Sequence, residues 1–364
     1  MWQNHNNYLK YQNIMRIHLV TGACGFVGRN MVKRLIETTE DHIFMVDDLS
    51  IGIHPSEWFP GYTSSPMNDI EIVDVHKRIY FWKGDFRVLL FYLRDNPRYI
   101  QDTYGLDFEK FADVFHFAAI VGGRAKIDGD PMQVALDLSI DAEFFYWLCR
   151  NQPERVLYPS SSAAYPISLQ TESDAIALSE GDIDFTKNLG VPDMTYGWSK
   201  MTGEFLAQIA AKHYGLRVVC IRPFSGYGED QDLSYPVPAI AARAANMEDP
   251  FEVWGSGKQA RDFVHIDDVI DLIFILMDKV SDGSGWNIGS GKLTSFLDII
   301  ELFTEFAGYK PTIKPLLDKP VGVHSRYANM DLVTEKFGWK PRISTREGMK
   351  RVYDAAVERL KNQH

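Results

Sequence analysis

Cysteine is scarce in this chain of 364 residues: Cys24, Cys149 and Cys220 are scattered, with no paired or metal-ligand spacing. That excludes a disulfide-stapled domain and a cysteine-built zinc centre, and it fits a reducing cytoplasm; no metal site is expected. No apolar run reaches the roughly 18 residues that a membrane span requires. The opening MWQNHNNYLKYQNIM lacks the charged-then-apolar layout of a signal peptide. Residues 1–14 read instead as a polar tail, an order that admits Met15 as the natural start. Blocks of basic residues are also missing. Lys and Arg number 38 against 49 Asp and Glu, a formal net charge of −11, which argues against nucleic acid or an anionic membrane as partner. Internal repeats and low-complexity tracts are absent too.

What is present is the composition of a globular protein, 45% apolar and 24% charged, long enough for a sizeable core. Short apolar runs alternate with helical patterns through the first two thirds. IHLVT (17–21), HIFMVD (42–47), IYFWKGD (79–85), VFHFAA (114–119), RVLYPS (155–160) and RVVCIRP (217–223) read as strands buried on both faces. RNMVKRLIETT and DAEFFYWLCRN between them have helical spacing. The alternation predicts an α/β fold with a parallel, doubly wound sheet and right-handed crossovers. After Pro223 the rhythm breaks into connections rich in Pro and Gly (GYGEDQDLSYPVP, GSGKQ, GSGWNIGSGK). The expected division is a cofactor-binding domain over 15–223 and a smaller substrate-binding domain over 224–364, with some segments of the latter returning to the former. Such a second domain caps the strand ends, where ligands of these sheets bind.

TGACGFVG (21–28) follows the first strand and opens the first helix. Gly22, Gly25 and Gly28, with Phe26 and Val27 between them, are the context of a dinucleotide-binding turn. Backbone N–H groups there approach a pyrophosphate at a helix N-terminus. Asp47 lies nineteen residues after Gly28, at the end of the second strand. A carboxylate at that place accepts both ribose hydroxyls and repels a 2′-phosphate, which favours NAD over NADP. Asp85 and Phe86, ending the third strand, are candidates for the adenine; acids at strand ends also serve as plain turn residues.

SSSAAYP (160–166) and TYGWSK (195–200) hold the second constellation, Ser161, Tyr196 and Lys200. In a helix Tyr196 and Lys200 share one face at i, i+4. An ammonium beside a phenol favours the phenolate by roughly 1 to 3 pKa units, enough to make a tyrosine useful as a base. Ser161 would hold the same substrate oxygen. Taken alone, a Tyr-x-x-x-Lys pair is an ordinary surface feature.

Together these segments resemble the extended short-chain dehydrogenase/reductase family, in particular its nucleotide-sugar epimerases and dehydratases. The likeness runs from Met15 through TGACGFVG, Asp47, KGDF, VFHFAA, SSSAAYP, TYGWSK, RPFSGYG, GSGKQARDFVHIDD, WNIGSG and GWKP. It implies a Rossmann-type domain, NAD as cofactor, a nucleotide-diphosphate sugar as substrate and a homodimer paired through the helices of LSIDAEFFYWLC and SKMTGEFLAQIAAKHY. The resemblance further implies catalysis by Tyr196, Lys200 and Ser161, with Lys200 also on the nicotinamide ribose and Ala118 beside the cofactor. Arg261 and Arg326 would take the diphosphate, with Ser162, Ser225 and Arg124 on the substrate side.

Departures from the pattern narrow the chemistry. Ser225 and Asp137 stand where the family carries asparagine. The GG of IVGGRAKIDGDP resembles GDP-sugar more than UDP-sugar enzymes. Dehydratases of the family place Asp and Glu directly after the catalytic hydroxyl residue, where this chain has Ser162 and Ala163. Its 3,5-epimerases place cysteine at the Ala163 position and lysine beyond the R-x-F segment, yet no lysine lies between Gly228 and Arg243. Chemistry that moves only hydride, a C4 epimerisation through a transient 4-keto sugar, is therefore the favoured expectation. A dehydratase, a 3,5-epimerase or a 4-oxidoreductase recruiting Lys126, Glu172 or His324 is the alternative. A non-catalytic NAD-sensing or RNA-binding relative is the alternative of another class.

Overall fold

A computed structural model describes residues 15–120, 124–172 and 175–362. Its centre is a nine-stranded sheet. In spatial order the strands are Asp282–Ile288, Val218–Pro223, Arg155–Pro159, Asp113–His116, Ile17–Thr21, His42–Asp47 and Ile79–Lys83, all parallel, followed by Ile70–Ile72 and Ser65–Met67 running antiparallel at one edge. The expected α/β, doubly wound sheet is present. Its strands are buried on both faces because alternate residues feed two cores. Ile17, Leu19, Phe44 and Val46 pack under the helices Phe86–Asp95, Asp137–Asn151 and Met194–Tyr214. Val20, Ile43 and Met45 pack under Phe26–Thr38 and Ile266–Lys279 on the other side. From Ile17–Thr21 the chain steps to His42–Asp47 and Ile79–Lys83 in one direction, then returns to Asp113–His116 on the opposite side. That reversal opens a crevice at the strand ends, where Gly22 meets Phe117.

A third core, with Val237, Ile240, Phe251, Phe263, Phe303 and Met349, joins the helices Pro236–Ala245, Phe296–Ala307 and Thr345–Asn362. Two segments from this last third lie on the main sheet: helix Ile266–Lys279 covers one face, and Asp282–Ile288 forms an edge strand. The second of these differs from the reading of GSGWNIGSGK as a connection. Its glycines serve the sheet. The register shifts between Asp282 and Gly285, with Gly283 at φ +76°, and a Cβ on Gly285 would stand 2.7 Å from Arg222 Nε. Among the described residues no helix is long and apolar enough to cross a membrane.

The demand on Gly285 comes from a buried ion pair. Arg222 Nε and Nη2 donate to Glu204 at 2.9 and 2.7 Å, both side chains being essentially inaccessible. Arg222 Nη1 also donates to Tyr165 Oη at 3.0 Å and to the Glu180 carbonyl at 2.9 Å. Ser160 completes the cluster by donating to Glu204. Burial lowers the guanidinium's affinity for its proton, but Glu204 outweighs it and leaves Arg222 raised. Removing one member strands the other charge. Glu204→Ala is therefore expected to lower unfolding free energy by about 3–5 kcal/mol in urea titrations, and a loss below about 1 kcal/mol would show that the pair does not tie these segments together.

Candidate active site

The glycine turn closes on itself so tightly that side chains are excluded. Gly22 has φ +63°, and a Cβ there would lie 2.5 Å from the Phe117 carbonyl carbon; one on Gly28 would run into the Gly22 carbonyl. Gly25 begins helix Phe26–Thr38 with no side-chain cap and no acid in the first turn, leaving that N-terminus open to an anion. Asp47 is buried against the turn, where Oδ2 accepts the Cys24 N–H at 2.9 Å and Oδ1 the Leu49 N–H at 2.8 Å. Burial raises the carboxyl, and those two amides oppose the rise. Each oxygen keeps lone pairs for ribose hydroxyls. Glycines at the tight positions of the turn, an uncapped helix start and a carboxylate beside them fit a dinucleotide without a 2′-phosphate. Ala118 donates its N–H to Thr21 Oγ1 at 3.2 Å, directly under Gly22.

Asp85 and Phe86 also have structural roles. Asp85 caps helix Phe86–Asp95, accepting the Arg87 N–H at 2.9 Å, and the Arg87 guanidinium holds its carboxyl below the ordinary range. Phe86 lies in the core at 4% exposure, its ring 5.6 Å from His116 and 6.1 Å from Phe144. Any contact of Phe86 with a ligand is left to its backbone.

Tyr196 and Lys200 share one face of helix Met194–Tyr214, with Lys200 Nζ 5.9 Å from the Tyr196 ring centroid. Ser161 lies two residues beyond the end of strand Arg155–Pro159 and caps the short turn Ser162–Ala164, accepting the Ala163 N–H at 3.1 Å. Gly197 lets the helix lie against this turn, since a Cβ there would meet the Ala163 carbonyl. Beneath them Lys200 Nζ lies 3.6 Å from Asp137 Oδ2. Burial lowers the ammonium's affinity for its proton, while Asp137, Asp141 and Tyr196 outweigh it and leave Lys200 raised.

Ser161, Ala163 and Tyr196 line one part of a cavity of about 630 Å³ that extends to Trp254, Arg261 and Arg326. Ser225 is in the lining, whereas Ser162, at 6% exposure, is not. Arg261 and Arg326 stand side by side in register on neighbouring strands. Arg261 donates to the carbonyls of Ala260 and His324 at 2.8 and 3.3 Å, and Arg326 to Gln170 and Asp193 at 2.5 and 2.8 Å. Helix Arg124–Gly129 brings Ile127 to the cavity, but the Arg124 and Lys126 side chains lie outside the described residues. Glu172 and His324 are not in the lining.

Sequence reasoning missed Asp193, Tyr235 and Trp254, all in the lining. Asp193 precedes the helix of Tyr196, a position that favours Asp on capping grounds alone. Tyr235 heads helix Pro236–Ala245, and burial, then Tyr196, push its phenol up to about 12, so it stays a hydrogen-bond donor. The Tyr-Pro helix start was the available signal. Trp254 gave none.

Over 349 residues the chain is 25% identical to GDP-mannose 3,5-epimerase of Arabidopsis thaliana, covering 94% of this chain and 83% of that protein. In fold it is similar to UDP-glucose 4-epimerase of Thermotoga maritima, with a TM-score of 0.73 at 22% identity over 94% of this chain and 99% of that one. It is equally similar, TM-score 0.73 at 18% identity over 95% and 98%, to dTDP-glucose 4,6-dehydratase of Bacillus anthracis, solved in complex with NAD. The sequence model of one family of enzymes matches residues 102–289, more than half of the chain. The chain belongs to the NAD dependent epimerase/dehydratase family.

Proposed function

We propose that the protein is a nucleotide-sugar epimerase that inverts C4 through a transient 4-keto sugar. One observation carries the reading: the cavity joins Ser161 and Tyr196 to a pair of adjacent arginines, yet its described lining holds no lysine, cysteine or histidine. The arginines suit a diphosphate, whose oxygens accept guanidinium donors in pairs. Of the lining carboxylates, Asp193 accepts from Arg326 and Glu252 from Lys314 at 2.8 Å. A base free to take a proton from C3 or C5 is thus missing among the described residues, whereas Tyr196 in the lining would take one from O4.

NAD, when bound, supplies a hydride acceptor that later returns the hydride. Gly22, Gly25 and Gly28 with the helix start would hold its pyrophosphate, and Asp47 its ribose. Tyr196 removes the O4 proton while Ser161 donates to that oxygen, and the Lys200 ammonium stabilises the phenolate that forms. Tyr196 hands the proton back once the keto sugar has turned in the cavity. Ser225, Arg261 and Arg326 retain the nucleotide diphosphate meanwhile.

Free Cys24, Cys149 and Cys220 fit a cytoplasmic enzyme. The reading includes a homodimer: Leu138 and Tyr146 on helix Asp137–Asn151, and Trp198 and Phe205 on helix Met194–Tyr214, are apolar yet exposed by 40–46%. Covering them with a second copy removes that area from water. Light scattering at micromolar concentration is expected to give a dimer, and a monomer would refute this assembly.

Protein purified without added cofactor should carry NAD or NADH, because the same hydride leaves and returns. Binding confined to NADP(H) would contradict the role given to Asp47. The reaction is tested in D2O with UDP-, GDP-, CDP- and dTDP-hexoses. An inverted C4 centre with no deuterium at C3, C5 or C6 is expected. Deuterium at C3 or C5 with no loss of water would make the protein a 3,5-epimerase, and deuterium at C5 with loss of water, the C4 hydride having passed to C6, a dehydratase. Tyr196→Phe should abolish turnover, and Ser161→Ala should slow it by about 10²-fold or more, the effect of losing a positioned donor.

A further inference from the structure

Under the Tyr196 helix lies a buried carboxylate that the reaction scheme does not use. Asp137 is 1% exposed, at the start of helix Asp137–Asn151. Its Oδ1 accepts the Ile120 N–H at 2.6 Å, short enough for a charge-assisted bond. Its Oδ2 accepts no hydrogen bond among the described residues and faces Lys200 Nζ at 3.6 Å. Asp141, one turn along the same helix, is occupied differently: Tyr158 Oη donates to it at 2.6 Å and His116 Nε2 lies at 3.4 Å. A carboxylate left with an ammonium as its counter-charge is a costly thing to bury unless that ammonium is fixed in turn.

We infer that Asp137 is a positioning residue, a buried counter-ion that fixes the Lys200 ammonium and limits how much of its positive charge reaches Tyr196. This rests on Tyr196 and Lys200 being the reactive pair. The sign follows from Coulomb's law. The ammonium stabilises the Tyr196 phenolate, and a carboxylate behind the ammonium subtracts from that field. With Asp137 charged, Tyr196 holds its proton to higher pH and is the stronger base once it loses it.

The other charged or titratable groups facing the pair are accounted for. His116 is driven toward its neutral form, first by burial. Tyr158 is held protonated by burial and by Asp141. Glu204 is matched by Arg222, Asp193 by Arg326, and Tyr235 remains a neutral phenol.

Ultraviolet difference titration of the protein without substrate, each variant against its Tyr196→Phe counterpart, isolates the Tyr196 phenolate. Asp137→Asn keeps an oxygen for the Ile120 N–H and removes the charge. It should lower the Tyr196 midpoint by about one pH unit, the scale of a nearby charge, and shift the acid limb of the kcat profile in the same direction. Asp137→Ser, smaller and still an acceptor, should lower the midpoint likewise if the asparagine variant does not fold. Lys200→Met should raise it. A midpoint that is unchanged or raised in both folded Asp137 variants overturns the inference. That result is distinct from failure of the epimerase reading, which would appear as absent turnover while the titration still shifts.

Discussion

The bidentate contact between Arg222 and Glu204 is what the site hangs on. Glu204 belongs to the helix that carries Tyr196 and Lys200, and Arg222 to the strand that leads to Ser225. Tyr165, bound by Arg222, closes the segment that carries Ser161, and Ser160 of that segment reaches Glu204 itself. Tyr165 Oη donates onward to Asn287 Oδ1 at 2.7 Å, and Asn287 holds the carbonyls of Leu178 and Asn329 at 2.8 and 3.1 Å. One ion pair therefore sets a sheet edge, the helix bearing Tyr196 and Lys200 and the segments flanking the arginines. A hydrophobic pair of equal volume would bury as well, but it would not fix direction at several segments at once.

The three relatives compared carry names of three reactions, and at 18–25% identity none transfers its reaction to this chain. The decision rests on side chains. Next to Ser161 the lining includes Ala163, whose side chain is only a methyl group, and not Ser162. A methyl group cannot carry a proton between carbon and solvent. Tyr235 adds a second phenol held protonated, a hydrogen-bond donor and a poor acceptor of a proton from carbon.

The parallel sheet was readable because strands covered on both faces become unbroken apolar runs, and the glycine turn because backbone sterics admit no other residue at Gly22 and Gly28. The shared helix face of Tyr196 and Lys200 was readable from i, i+4 spacing, but that spacing is also the one of an ordinary surface pair, and the pair stood out only beside the glycine turn and SSSAAYP. Strand Asp282–Ile288 was hidden by Gly283 and Gly285, whose smallness serves a bulge and the Arg222–Glu204 pair, both products of tertiary contact. Asp85 and Phe86 carried a strand-end signal that the fold uses for capping and core packing. Asp193, Tyr235 and Trp254 come from three separate segments that only the folded chain brings together, so the local signals at Asp193 and Tyr235 speak of helix starts and not of a shared cavity.

Two arginines side by side in register repel each other, and such an arrangement persists where oxygen atoms surround it. Backbone carbonyls surround Arg261, while Arg326 leans on Asp193. Asp193 is the residue from which the Tyr196 helix starts, and its own N–H donates to the Ala163 carbonyl at 3.0 Å. Whatever anion draws on Arg326 thereby pulls against the carboxylate at the head of that helix and the turn that holds Ser161. In the proposed reaction, charge at the diphosphate end and proton transfer at the sugar end would be linked through this carboxylate, since Arg326, Asp193 and the turn of Ser161 belong to one contact network.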